Sequence, residues 1–164
     1  MSHSKFEDSM ASGIHHQLSL LAGAWEGKTT TWFEPDKVED ESAIQGTMKI
    51  ILGGRFILHE YESSFKDKPI SGLAVIGYDF SSSAYQVAWV DSFHMGTGIM
   101  LSTGTEPGNP ISVLGSYGGA EMPEPWGWRT AIEMPSNDQL IITAYNISPE
   151  GESVKATETI YTRK

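Results

Sequence analysis

The residues best suited to chemistry gather in Trp89-Val90-Asp91-Ser92-Phe93-His94-Met95-Gly96-Thr97-Gly98, where a carboxylate, a hydroxyl and an imidazole stand close together. An Asp–His pair can pass a proton or orient a polar group of a ligand. Asp91, Ser92 and His94 are too near one another along the chain to form a nucleophilic triad by themselves, and no Gly-x-Ser-x-Gly elbow accompanies them. Gly96-Thr97-Gly98 is too short and wrongly placed for a phosphate loop. Asp91 and Ser92 have a plainer reading as turn caps that accept backbone amides. The plainer reading of His94 is a solvated loop residue.

A second group is Arg55, Ile57, His59 and Tyr61, which fall on one face of a strand while Phe56, Leu58, Glu60 and Glu62 take the other. Inside a cavity, Arg55 could hold a carboxylate or carbonyl with its planar donor fork, flanked by His59 and Tyr61. The same file could equally be a satisfied internal hydrogen-bond network. Trp89 and Trp128 are the aromatic candidates for apolar contact with a ligand, and strand parity adds Tyr145. The expected lining is thus Arg55, His59, Tyr61, Trp89, Asp91, His94, Trp128 and Tyr145. No residue is assigned a catalytic role. His15 and His16 are adjacent near the N-terminus, and no His-x-x-x-His or Glu-x-x-His spacing appears, so neither a metal nor a cofactor is expected.

The elements that must position these residues are nearly all strands. Residues 42–52 alternate Ile44, Gly46, Met48 and Ile50 against Gln45, Thr47 and Lys49. Further β-type runs cover residues 55–64, 71–80, 85–91, 96–103, 111–117, 126–134, 139–147 and 153–162, separated by Gly-, Pro- and Asp-rich turns. No long helical pattern intervenes. About ten strands make a poor open sheet in so small a domain, so closure into a barrel is expected; a two-sheet sandwich is the competing arrangement. Residues 1–13 are polar and read as a flexible segment, and residues 14–164 as one barrel domain opened by a short helix.

The two ends of the chain carry the closure. Gly23-Ala24-Trp25 opens the first strand and Arg163 ends the last, so an indole can plug the barrel floor while a guanidinium stacks on it. From Leu20 to Lys164 the chain resembles an uncharacterised, mainly bacterial family of the calycin superfamily, whose members are lipocalin-like barrels. The resemblance rests on Leu21-Ala22-Gly23-Ala24-Trp25-Glu26-Gly27, Gly54-Arg55-Phe56, Gly77-Tyr78-Asp79, Trp89-Val90-Asp91-Ser92, Gly96-Thr97-Gly98-Ile99-Met100 and Tyr161-Thr162-Arg163-Lys164, in order along the chain. It implies a single closed, antiparallel, up-and-down barrel of about ten strands, and no established activity. The chain is also distantly similar to nitrobindin-type barrels through Gly-x-Trp and the meander. Those hold haem iron with a histidine near the C-terminal end; here no histidine follows His94.

Composition narrows the partners. The chain has 164 residues, no cysteine and a formal net charge of −10, so disulfides and thiol chemistry are excluded. Such a charge repels phosphate backbones and anionic headgroups, which argues against nucleic-acid and membrane-surface roles. The N-terminus carries acids and lacks an apolar run, so a cytoplasmic location is expected. The leading expectation is binding of a small, largely apolar molecule inside the barrel. The alternatives are His/Asp acid–base chemistry on a carbonyl or ester, haem or nitric-oxide binding, and a homodimer formed through an exposed apolar strand face.

Overall fold

Alternation of small or apolar residues with charged ones along each strand forces one face inward, and repetition over consecutive strands closes the sheet on itself. The computed structural model describes residues 3–164. Among them ten strands follow one another: β1 (Gly23–Glu34), β2 (Lys37–Ile51), β3 (Phe56–Phe65), β4 (Lys68–Asp79), β5 (Ala84–Asp91), β6 (Met100–Gly104), β7 (Ile111–Tyr117), β8 (Trp126–Ser136), β9 (Gln139–Ile147) and β10 (Ser153–Arg163). Each pairs antiparallel with its sequence neighbours, and β10 returns to β1, giving one closed up-and-down barrel. In β1, Trp25 and Thr31 are buried while Glu26 and Lys28 are exposed; in β2, Ile44, Gly46 and Met48 are buried while Gln45 and Lys49 are exposed. Outward charges pair across strands, Lys28 with Glu41 at 3.1 Å and Lys49 with Glu60 at 3.4 Å. These exposed pairs stabilise little and mainly fix which face is wet.

One end of the barrel is packed solid. Trp25, Leu140 and Tyr161 are 0% exposed and meet Met48, Ile57 and Ile76. The Trp25 indole donates to the Leu21 carbonyl at 2.9 Å. Arg163 lies opposite Trp25 in the β1–β10 register, with its guanidinium carbon 4.3 Å from the ring centroid. The same guanidinium donates to the carbonyls of Asn137, Ala22 and Leu20 at 2.8, 2.6 and 3.0 Å. Gly23 has φ +144°, and a Cβ there would run into Arg163 Nη1, so glycine suits both the backbone angle and the close approach.

Two helices, α1 (His3–Ser12) and α2 (Ile14–Ser19), cover this end. Of the segment 1–13 expected to be flexible, residues 3–12 form α1, and Met1 and Ser2 lie outside the described residues. Polar though it is, α1 carries anchoring contacts. Phe6 meets the His15 ring edge-on at 5.1 Å and receives the Arg55 guanidinium at 4.4 Å. Ser9 Oγ bonds His15 Nδ1 at 2.8 Å, and Met10 packs on Gly54. Burial, and then the charge of Arg55, hold His15 below the ordinary histidine range. Leu18 and Leu21 complete the floor.

Candidate functional site

Toward the other end, the inward positions of the same strands leave space. A cavity of about 120 Å³ lies inside the barrel, walled by residues of β1–β6 and β8–β10 and by the segment after β5. Its wall is mostly apolar, with Ile44, Ile76, Val87, Ile132 and Ile142 deep inside and Phe65 and Phe93 toward the rim. Thr29, Thr31, Thr157 and Thr159 form a hydroxyl-bearing strip on β1 and β10, with Thr159 Oγ1 donating to Thr29 Oγ1 at 3.0 Å. A larger depression, about 720 Å³, lies on the barrel's outer surface against Gln45, Lys49, Glu60 and Glu62. It is shallow and open to water, whereas small-molecule sites are enclosed and mainly apolar; the inner cavity is the candidate.

The structure brings six of the eight expected lining residues to this cavity: His59, Tyr61, Trp89, Asp91, His94 and Trp128. Inward alternation along β3 delivers His59 and Tyr61, and along β5 it delivers Trp89 and Asp91. Trp89 stacks on Trp128 of β8, with centroids 5.6 Å apart and an interplanar angle of 16°. Its indole N–H donates to Tyr61 Oη at 2.9 Å. Gly72 of β4 provides the room for that hydroxyl, since a Cβ there would collide with it.

Asp91 ends β5 and organises the segment that follows. One carboxylate oxygen accepts the backbone amides of His94 and Met95 at 2.7 and 2.8 Å, and the other faces His94 Nδ1 at 2.6 Å. Turn cap and imidazole partner, the two readings of Asp91, thus coexist in one side chain. This tie, with Gly96 at φ +59°, turns residues 92–99 into a loop, so β6 starts at Met100 and not at Gly96 as expected. Burial pushes the Asp91 carboxyl up, but the His94 hydrogen bond and charge, with the two amides, outweigh it and hold the group below the usual carboxylate range. The His94 ring lies 5.4 Å from Trp89 and 5.5 Å from Trp128, centroid to centroid.

His59 has a different environment. Its Nε2 pairs with Tyr161 Oη at 3.0 Å, and burial pushes its pKa down to about 4, so the ring is neutral near pH 7. Burial also raises Tyr61 and Tyr161 above the ordinary phenol range. His59 joins the packed floor to the cavity above it, because Tyr161 also contacts Trp25.

Two expected lining residues lie elsewhere. Arg55 precedes β3 in a helical backbone conformation (φ −70°, ψ −30°) after the turn Leu52–Gly54, so strand alternation does not reach it. It donates to the Leu52 carbonyl at 3.3 Å and stacks on Phe6 outside the barrel floor. Tyr145 faces outward and covers Arg129, whose guanidinium carbon sits 4.3 Å from the ring centroid. In β9 the inward residues are Leu140, Ile142 and Ala144, the opposite parity from that assumed. The hydroxyl strip was missed, though alternation counted from Trp25 through Gly27 reaches Thr29 and Thr31, and counted back from Tyr161 it reaches Thr159 and Thr157. Phe65 and Phe93 gave no comparable signal, since they meet only across hairpin ends, at 4.7 Å.

Haem does not fit this site. Cavities that enclose drug-sized ligands run to roughly 300–1,000 Å³, and the 120 Å³ here is too small for a porphyrin. His59 is committed to Tyr161, and the His94 ring is flanked by two indoles.

Fold and closure define a lipocalin-like, calycin-type barrel. The chain belongs to the family DUF1579, described as proteins of unknown function, whose model matches residues 11–163. Among solved structures it is similar to Rv2717c from M. tuberculosis, with TM-score 0.59 and 15% identity over 91% of this chain and 96% of that one. It is also similar to the S-type phycobiliprotein lyase CPES from Guillardia theta, with TM-score 0.56 and 10% identity over 100% of this chain and 98% of that one. At these identities the likeness speaks for the fold. No curated protein matches the sequence.

Proposed function

We propose that this barrel binds a small, largely apolar molecule in the cavity above its packed floor. The observation that carries this reading is the cavity itself, enclosed by aliphatic and aromatic side chains on which a few polar groups converge. Trp89 and Trp128 supply apolar contact. His59, Tyr61 and His94 face the polar end of the ligand, and Asp91 holds His94 in place. Size sets the scale, because apolar cavities of about 150 Å³ accept a benzene ring. The test is an NMR titration with toluene. Saturable one-to-one binding that moves the indole N–H signals of Trp89 and Trp128, leaves that of Trp25 in place, and is lost when Ala144→Leu fills the wall supports the reading. Unsaturable shifts, or shifts unchanged in Ala144→Leu, contradict it.

The Asp91–His94 pair favours a second reading, acid–base chemistry on a carbonyl or ester. Hydrolysis of a small aryl acetate that disappears in His94→Ala would support it. Exposed Ile99, Leu101 and Leu114, at 69%, 72% and 52%, also favour a homodimer through the outer face of β6 and β7. Light scattering on the eluting protein distinguishes monomer from dimer.

A further inference from the structure

The polar groups around the cavity are not equally free. Both Asp91 oxygens are engaged, His59 Nε2 is paired with Tyr161, Tyr61 Oη receives the Trp89 N–H, and Thr159 is bonded to Thr29. Serine and threonine hydroxyls elsewhere on the wall can rotate toward nearby backbone acceptors. His94 cannot adjust in that way. Its Nδ1 is anchored on Asp91 at 2.6 Å and its ring is flanked by Trp89 and Trp128. A carboxylate only accepts, so Nδ1 carries a proton, and whenever the ring is neutral Nε2 is an acceptor. No group of the described residues bonds Nε2, and the ring, partly exposed, stands in the cavity wall beside Trp89 and Trp128.

Three further observations shape what this acceptor would meet. The Trp89–Trp128 stack gives the wall an aromatic surface suited to contact with a flat ring. The volume suits one six-membered ring. The wall contains no Lys or Arg and does contain Asp91, so an anionic ligand would find no cation.

Resting on the reading that the cavity binds a small apolar molecule, we infer that it is a site for a single neutral aromatic ring bearing one O–H donor, a simple phenol, whose hydroxyl is accepted by His94 Nε2. Asp91 acts as a positioning residue, fixing the tautomer that makes the acceptor.

Phenol and toluene are nearly isosteric and differ in the donor, so the test compares them by calorimetry on the full chain, alone and in His94→Leu. One net hydrogen bond corresponds to about a tenfold preference for phenol in the wild type. In His94→Leu that preference should fall to about twofold or less. In the wild type, the nitrogen NMR signal of His94 Nε2 should move on adding phenol and stay in place on adding toluene. This readout decides the matter if His94→Leu does not fold. Equal affinity for the two ligands, or a phenol preference that survives His94→Leu, overturns the inference while leaving the cavity reading intact. Failure of both ligands to bind saturably overturns the cavity reading and this one with it.

Discussion

The two ends of this barrel are built from the same strands with the same alternation, yet one is solid and the other hollow. At the floor, inward positions carry Trp25, Tyr161, Leu140 and Met48, and the polar side-chain atoms of Trp25 and Tyr161 both have protein partners. Four residues further along β1 and β10, the inward positions are Thr29 and Thr157, side chains too short to meet across the lumen. Side-chain size thus decides where a closed barrel is core and where it is container. Polar pairing differs in parallel. Arg163 spends its donors on three backbone carbonyls and a ring face, whereas His94 spends one nitrogen on Asp91 and keeps the other.

The sharpest way to break this contrast is Trp25→Ala, which removes a fully buried indole and should cost about 3–5 kcal/mol in urea unfolding. Toluene affinity of the molecules that remain folded should not change. If the variant were no less stable, the floor would not be a packed core.

Next in size is the pH dependence carried by His59. Its pKa falls from 6.5 to about 4 on folding, so the unfolded chain binds the extra proton between those values. This contribution is complete above pH 6.5 and is lost as pH falls toward 4; at about 1.4 kcal/mol per unit it amounts to about 3 kcal/mol. His15 adds loss in the same direction, while Asp91, held below its ordinary value, adds loss only at still lower pH. Urea midpoints from pH 8 to pH 4 should therefore fall, and His59→Gln should flatten the curve.

Arg163→Lys should cost about 2 kcal/mol, because a single ammonium cannot reproduce the fork and the stacking; a thermal melt reads it. Asp91→Ala leaves two loop amides without their acceptor and should cost about 1–2 kcal/mol. Hydrogen exchange should quicken at His94 and Met95 and stay unchanged at Trp25. The smallest effects should come from the two outward residues once expected in the lining. Arg55→Ala and Tyr145→Ala should each change stability by about 0.5 kcal/mol and leave toluene binding as it was. A loss of binding in either would return it to the wall.

How far the residues foretold this arrangement depended on whether a feature was local or needed a register. Closure could be read because Gly23 and Trp25 open the first strand and Arg163 ends the last, the two strands that must pair to seal a barrel. The strands and the inward face of β3 and β5 followed from period two. The His59–Tyr161 bond could not be read, since it joins positions 102 residues apart that meet only once β1 has paired with β2 and β10. Arg55 was misplaced because alternation was carried one residue past the start of a strand, and Tyr145 because β9 offered no charged residue to mark its outer face. The Asp91–His94 contact was suggested by proximity alone; the loop geometry that makes it arises from two amide bonds to the same carboxylate.

The most direct test of the account is a crystal of the protein soaked in bromobenzene, whose bromine reports its position by anomalous scattering. The account predicts one bromine peak inside the barrel, beside the Trp89 and Trp128 rings, and none at the floor around Trp25. A barrel interior without any peak, or a bromine held only in the outer depression between Lys49 and Glu62, would contradict it.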